Sequence, residues 1–285
     1  MAAGRFEHWD PHWMNYCHAF HAGNFADCFK HALLVALVDA LTRKTTPIFV
    51  LDTHAGAGWY DLKGEPARRT READRGIHRL VESRSPVLHR YLRLVESIGL
   101  YPGSPLVIRT LLRVGDRLGC CELDPEATVS LRRQFQQDPQ VAVHDRSGWE
   151  ALGSLLPPKE KRGLVFIDPP FENKDEFVLL AEGLSRGHRR FAHGVFAAWY
   201  PIKRLTSARS FIADMRGSSI RDILAIELYL REATDPGCLN GCGMLVINPP
   251  FGFDDQARLL ADAVLQGVGE GEIGAGTRLV RVADE

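Results

Sequence analysis

Long hydrophobic runs are missing from this 285-residue chain: no apolar stretch approaches 18 residues, which excludes a membrane-spanning helix. The N-terminal MAAGRFEHWDPHWM has no apolar h-region, so it does not read as a secretory signal, and the cytoplasm is the expected compartment. A surplus of one charge is missing too. With 35 Lys and Arg against 36 Asp and Glu the net charge is −1, so any hold on a polyanion must come from local clusters rather than a global field. The cysteines Cys17, Cys28, Cys120, Cys121, Cys238 and Cys242 read as reduced thiols, not as a disulfide framework. Internal repeats and low-complexity segments are also absent. What remains is the composition of a globular protein. Its length suffices for one large α/β domain, with or without a small insertion, whose core needs no disulfide or metal staple.

Along the chain, residues 1–13 show no periodicity and read as a disordered N-terminal extension. Met14 opens a segment that reads like the start of a protein. Asn24 can cap a helix with Asp27 at its third position, a variant of the capping box. From Phe25 the residues Cys28, Phe29, Ala32, Leu33, Ala36, Leu37, Ala40 and Leu41 recur at helical spacing, and Thr45, Thr46 and Pro47 end the run. Strands are expected at 48–51, 118–123, 141–144, 164–167, 195–199, 223–230 and 244–247. Helices are expected at 125–137, near 173–186, near 206–216 and from about 254. The charged stretch 62–100 reads as a helical insertion. This alternation predicts a seven-stranded, mostly parallel sheet covered on both faces. The last two strands, joined by a tight Gly-rich turn at 237–243, are expected to form an antiparallel edge pair.

One half of a site follows the first strand. Ligands of open α/β sheets bind outside the carboxyl ends of strands, at the point where the strand order reverses. The turn from Asp52 through Gly56 to Gly58 lets the backbone approach a ligand closely. It suits the amino-acid part of S-adenosylmethionine better than a pyrophosphate, being neither G-x-G-x-x-G nor a P-loop. Glu122, at the end of the second strand, can accept from ribose hydroxyls, the insertion accounting for its distance from Gly58. Past the third strand, Asp145 and Ser147 both qualify to hydrogen-bond an adenine, with Gly148 beside them; the sequence leaves both open.

The other half is Asp168-Pro169-Pro170-Phe171, after the fourth strand. The exocyclic N6 of adenine is a poor nucleophile because its lone pair is delocalised into the ring. A side-chain oxygen and a backbone carbonyl that both accept from the amino group localise that lone pair, and Asp168 with the Pro169 carbonyl can do this. The prolines stiffen the turn and remove a competing N–H. Phe171 can stack on the base, and Asp168 can take the proton that leaves after transfer. A second copy, Asn248-Pro249-Pro250-Phe251, is expected to be a strand-end turn on the edge strand, because strand order favours Asp168.

The motifs and the N-terminal segment together resemble the RlmJ family of bacterial 23S ribosomal RNA adenine-N6 methyltransferases. The matching stretches are Tyr16 with His18-Ala-Phe-His-Ala-Gly-Asn24 and Lys30-His31, then Leu51-Asp-Thr-His-Ala-Gly-Ala-Gly58. Tyr101-Pro-Gly-Ser-Pro105, Ile167-Asp-Pro-Pro-Phe171, Trp199-Tyr-Pro201 and Ile247-Asn-Pro-Pro250 also match, so the resemblance spans most of the chain. It implies a class I, Rossmann-like methyltransferase built from 14–61 and 101–285, with 62–100 as a helical insertion subdomain. It implies S-adenosylmethionine as cofactor, contacted by His31, His54, Ser104, Glu122 and Asp168, and 23S ribosomal RNA as substrate. It places Tyr16 at the substrate, and it aligns Ser147-Gly148 with an Asp-Gly pair of the family, a hydroxyl standing where the family has a carboxylate. No metal is expected: Cys17, His18, His21, Cys28 and His31 lack the spacing of a zinc finger, and Cys238 and Cys242 flank a Gly-rich turn. A monomer is expected.

Local basic clusters are Arg68, Arg69 and Arg71; Lys159, Lys161 and Arg162; Arg186, Arg189 and Arg190; and Lys203 with Arg204, with Lys30 as a further candidate for RNA contact. The competing readings are a DNA adenine-N6 methyltransferase, a protein amide methyltransferase, and a catalytically dead methyltransferase fold that only binds RNA.

Overall fold

The computed structural model describes residues 17–284. Tyr16 and the 1–13 extension lie outside them. A 3-10 turn at His18–Phe20 leads into α1 (Phe25–Thr42). The Asn24 side chain caps this helix by accepting from the Asp27 amide at 3.0 Å. Nearly every side chain of α1 is buried, on all sides of the helix, which marks a helix packed between layers rather than on a surface. Leu33, Leu34 and Leu37 are wholly buried; truncating any one to Ala costs about 2–5 kcal/mol.

Strand β1 (Phe49–Asp52) is followed by the short β2 (Trp59–Tyr60), then by helices α2 (Glu65–Thr70), α3 (Glu72–Arg75), α4 (Ile77–Ser83) and α5 (His89–Ile98). Strand β3 (Tyr101–Pro102) pairs back onto β2, Tyr60 opposite Tyr101, and closes the neck of this helical segment. There follow α6 (Ser104–Leu111), β4 (Arg117–Glu122), α7 (Pro125–Phe135), β5 (Val141–Asp145), α8 (Gly148–Ser154), β6 (Gly163–Ile167) and α9 (Glu176–Arg190). The chain ends with β7 (Val195–Ile202), α10 (Leu205–Gly217), β8 (Ile223–Tyr229), β9 (Gly241–Ile247), α11 (Phe253–Val268) and β10 (Gly276–Ala283).

The main sheet has eight strands in the order β10-β8-β9-β7-β6-β1-β4-β5. This corrects the expected seven. The unforeseen strand is β10, half-buried and antiparallel to β8, and it forms one edge. Between β5 and β7 all pairings are parallel, whereas β9 runs antiparallel to both β7 and β8. The β8–β9 pair is therefore antiparallel as expected but is not an edge, and its connection, 230–240, is longer than a tight turn. One face of the sheet is covered by α1, α6, α7 and α11, the other by α8, α9 and α10. Strand order reverses at β1, whose neighbours are β4 on one side and β6 on the other. The carboxyl tips of β1, β4 and β6 thus converge, which is where such a sheet binds ligands.

Candidate active site

At the tip of β1, Asp52 is wholly buried and neither carboxylate oxygen has a hydrogen-bond partner among the described residues. Burial pushes its pKa up to about 7. The nearby Asp168 charge adds to the rise, while the Ser104 hydroxyl and the His54 amide lie close enough to oppose it. Beyond Asp52 the chain turns through Gly56 (φ +64°) and Gly58 (φ +87°), left-handed conformations that glycine adopts without strain. Glu122, at the tip of β4, ties this turn down. Its carboxylate accepts from the Gly56 amide at 2.7 Å and from the Leu123 and Asp124 amides at 2.8 Å each. The neck pairing of β2 and β3 supplies the next piece. It brings the Gly103 amide to the Gly58 carbonyl at 2.8 Å, so buried Ser104 stands beside the glycine turn.

His54 bonds the Thr53 hydroxyl at 2.8 Å and packs edge-on against Trp149; desolvation lowers its pKa to about 3, so the ring is neutral. His31, on α1, is likewise buried and lowered to about 3 by desolvation. Its Nδ1 meets the Tyr101 hydroxyl at 3.2 Å, and Tyr101 meets Tyr91 of α5 at 3.1 Å. Gly148 opens α8 so close to β1 that a Cβ there would stand 2.1 Å from the Thr53 carbonyl oxygen. Ser147, just before it, makes no side-chain cap bond, and Asp145 is exposed at the end of β5.

Asp168 stands just past β6, two residues beyond Phe166, which pairs in register with Asp52. Its Oδ2 accepts from the Lys30 ammonium at 2.6 Å. Lys30, expected among RNA contacts, has a side chain only 7% exposed and also pairs with Asp27 at 2.9 Å. Phe171 takes φ +54°, a conformation costing a bulky residue about 1–3 kcal/mol. Its ring is held edge-on against Phe177 (4.9 Å between centroids) and Trp199 (5.8 Å). Lys30 also lies over Trp199, 5.8 Å from the ring centroid. The site therefore unites Lys30, His31, His54, Gly56, Ser104, Glu122, Gly148, Asp168 and Phe171 around three adjacent strand tips. Asp52 joins them as the first residue of the glycine turn, with no role of its own expected, and Asp27 and Trp199 join without having been expected at the site. Asp27 was read only as a capping position, and the one signal for Trp199 was its place in a matching stretch.

The second Pro-Pro-Phe copy is at the opposite end of the sheet, because β9 is antiparallel to β7 and its last residue Ile247 pairs with Phe196 near the start of β7. Reversed direction, not an edge position, sets it apart: β9 is an interior strand. Both Asn248 amide hydrogens go to backbone carbonyls, of Ala192 and Gly194, at 2.8 Å each, and Phe251 is fully exposed. The basic clusters divide in the same way. Lys203 and Arg204 follow the carboxyl end of β7, at the Asp168 end. Arg69 of α2 lies over Phe20 of the 3-10 turn, 5.6 Å from its ring centroid. Lys159, Lys161 and Arg162 precede β6, and Arg186, Arg189 and Arg190 close α9, so both sets lie at the far end. There Arg162 bonds the Leu41 carbonyl at 3.0 Å and Arg190 the Leu156 carbonyl at 2.6 Å. Among the described residues no group of three or more His, Cys, Asp or Glu is arranged to hold a metal ion, and no helix is long and apolar enough to cross a membrane.

A parallel sheet reversing at β1, with one antiparallel strand lodged between β7 and β8 and helices on both faces, is the fold of a class I methyltransferase. The family model described as "Ribosomal RNA large subunit methyltransferase D, RlmJ" matches residues 45–280. The chain belongs to this family and is a methyltransferase. It is 39% identical to Ribosomal RNA large subunit methyltransferase J of Escherichia coli (strain K12) over 251 residues, 85% of this chain and 90% of that one. It is 37% identical to the protein of the same name from Haemophilus influenzae over 254 residues, 86% and 90% of the two chains. The crystal structure of protein LPL1258 from Legionella pneumophila superposes with a TM-score of 0.84 at 33% identity, covering 92% of this chain and 98% of that one.

Proposed function

We propose that this protein transfers the methyl group of S-adenosylmethionine to the exocyclic N6 of an adenine in 23S ribosomal RNA, acting as a monomer in the cytoplasm. The observation that carries the reading is the position of Asp168-Pro169-Pro170-Phe171 at the tip of β6, directly beside the β1 tip and its glycine turn. The names of the E. coli and H. influenzae relatives support ribosomal RNA as the substrate.

The residues present fit the cofactor on two counts. The orphaned Asp52 carboxylate suits an α-ammonium group, and the left-handed turn at Gly56 and Gly58 offers backbone without side chains beside it for a ligand to approach. Glu122 keeps about one of its four acceptor sites for a ribose hydroxyl, three being taken by backbone amides. His31, His54 and Ser104 line the methionine side, and Ser147 or Asp145 the adenine side. When bound, S-adenosylmethionine supplies an electrophilic sulfonium methyl.

The chain's own residues do the rest. Oδ1 of Asp168 and the Pro169 carbonyl accept from the two N6 hydrogens and localise the nitrogen lone pair. Phe171 and Trp199 offer faces for the purine, so that most of the rate enhancement is positioning. Asp168 then takes the proton that the methylated nitrogen releases. A base within an RNA helix must be unstacked to enter, and Tyr16 is assigned to the substrate side. The test is radiolabelled methyl incorporation into unmodified 23S RNA, DNA and protein by wild type and Asp168→Ala. Labelling of RNA is expected, with a loss of roughly 10²- to 10⁴-fold in the variant. Labelling of DNA or protein alone refutes the substrate, and full activity of Asp168→Ala refutes the site.

A further inference from the structure

We propose that Asp27 is a positioning residue for Asp168, acting through Lys30; this rests on the reading of Asp168 as the acceptor for the substrate amino group. Asp27 is a buried hub whose side chain is 3% exposed. Its Oδ2 accepts from the Gly23 amide at 2.9 Å and pairs with His18 Nε2 at 3.0 Å, and its Oδ1 pairs with the Lys30 ammonium at 2.9 Å. Burial works to raise its pKa, but attraction to His18 and Lys30 prevails and holds it well below the usual carboxylate range. Asn24 fixes its backbone from the cap position, so the hub is anchored to the start of α1.

Lys30 follows Asp27 by three residues on the same helix face, where side chains meet. A lysine stem carries about 2 kcal/mol of rotamer entropy. With Asp168 as sole counter-ion, the ammonium would be free to swing and drag the Asp168 carboxylate with it. Held between Asp27 at 2.9 Å and Asp168 at 2.6 Å, it is a fixed post. It engages Asp168 through Oδ2 and leaves Oδ1 for the amino group. Asp27 also shares in balancing the Lys30 charge, so Lys30 does not neutralise the proton acceptor alone.

The variants are Asp27→Asn, Asp27→Glu, Lys30→Met and the double Asp27→Asn/Lys30→Met, assayed for methylation of 23S RNA. Asp27→Asn is expected to lower kcat roughly 10- to 100-fold through misplacement of Asp168. The cofactor Kd and the RNA KM should stay within about threefold of wild type, a split that marks loss of a transition-state interaction. The double variant should be no slower than Lys30→Met, because the two residues act as one unit. Losses that multiply in the double variant, or a raised KM at unchanged kcat, overturn the proposal. Where Asp27→Asn does not fold, Asp27→Glu replaces it. The longer carboxylate shifts Lys30, so a kcat-only loss is expected and wild-type kcat overturns. If wild type methylates no RNA, the proposed function falls but the clamp is still tested. In protein labelled with ¹⁵N-lysine, a slowly exchanging Lys30 ammonium resonance is expected in wild type and lost in Asp27→Asn; its absence from wild type overturns the clamp.

Discussion

Asp52 ties stability to function through one buried charge. A rise of its pKa from 3.8 to about 7 disfavours the ionised form in the folded protein by about 4 kcal/mol. Because the folded-state value lies above the unfolded one, the folded form binds the proton more tightly. The penalty is absent below about pH 4, grows between about 4 and 7, and is complete above about 7. Asp52→Asn removes the charge but leaves an unpartnered amide, which itself costs about 1–3 kcal/mol. The variant should therefore gain about 1–3 kcal/mol at pH 8, a Tm about 2–5 °C above wild type for a chain of this size. Below about pH 4, where wild-type Asp52 is also neutral, the penalty is gone and the order should reverse, the amide leaving the variant about 1–3 kcal/mol less stable than wild type. Taking the difference between the two proteins cancels the titration of His31 and His54, which weakens both alike as pH falls below about 6.5. Ligand binding should move the other way. An ammonium that loses a buried counter-charge loses about 3–5 kcal/mol, more than 100-fold in Kd. Thermal unfolding from pH 4 to 8 and calorimetric titration with S-adenosylmethionine and S-adenosylhomocysteine, which share that ammonium, measure both effects. Equal Tm values at pH 8, or undiminished affinity in Asp52→Asn, would refute the assignment.

Two further tests follow from the topology. Asn248→Asp should leave kcat and both affinities unchanged while lowering stability by about 1–3 kcal/mol in denaturant titration, since the Ala192 and Gly194 carbonyls lose their donors; a drop in kcat would count against the Asp168 assignment. Charge reversal of Arg68 and Lys203, at the site end, should raise the RNA KM and flatten its salt dependence by about one counter-ion per residue, whereas reversal of Lys161 and Arg189 should do neither. Equal effects from both pairs in filter binding across a salt series would remove the distinction.

Much of the architecture was legible because hydrophobic period and turn chemistry are local properties. The buried strands β1, β4 and β6 read as short apolar runs between breakers, and the Asn24 cap formed as its side-chain chemistry demands. Strand β10 was missed because Arg278 and Arg281 interrupt its apolar alternation. The β2–β3 neck was missed because two-residue strands carry no periodicity, yet that pairing is what carries Ser104 to Gly58.

The chain alone determined which residues have the chemistry: a carboxylate ahead of two prolines and an aromatic, a glycine turn after a buried strand, an acid at the next strand end. Those identities depend on side-chain type and near-neighbour spacing. Which of the two Pro-Pro-Phe turns sits beside the glycine turn, and which basic clusters share its side, was decided by strand direction. Direction comes from pairings between residues far apart in the chain. The link from Asp27 through Lys30 to Asp168 has the same origin: it crosses 138 positions, and only the packing of α1 against the sheet brings those charges within bonding distance.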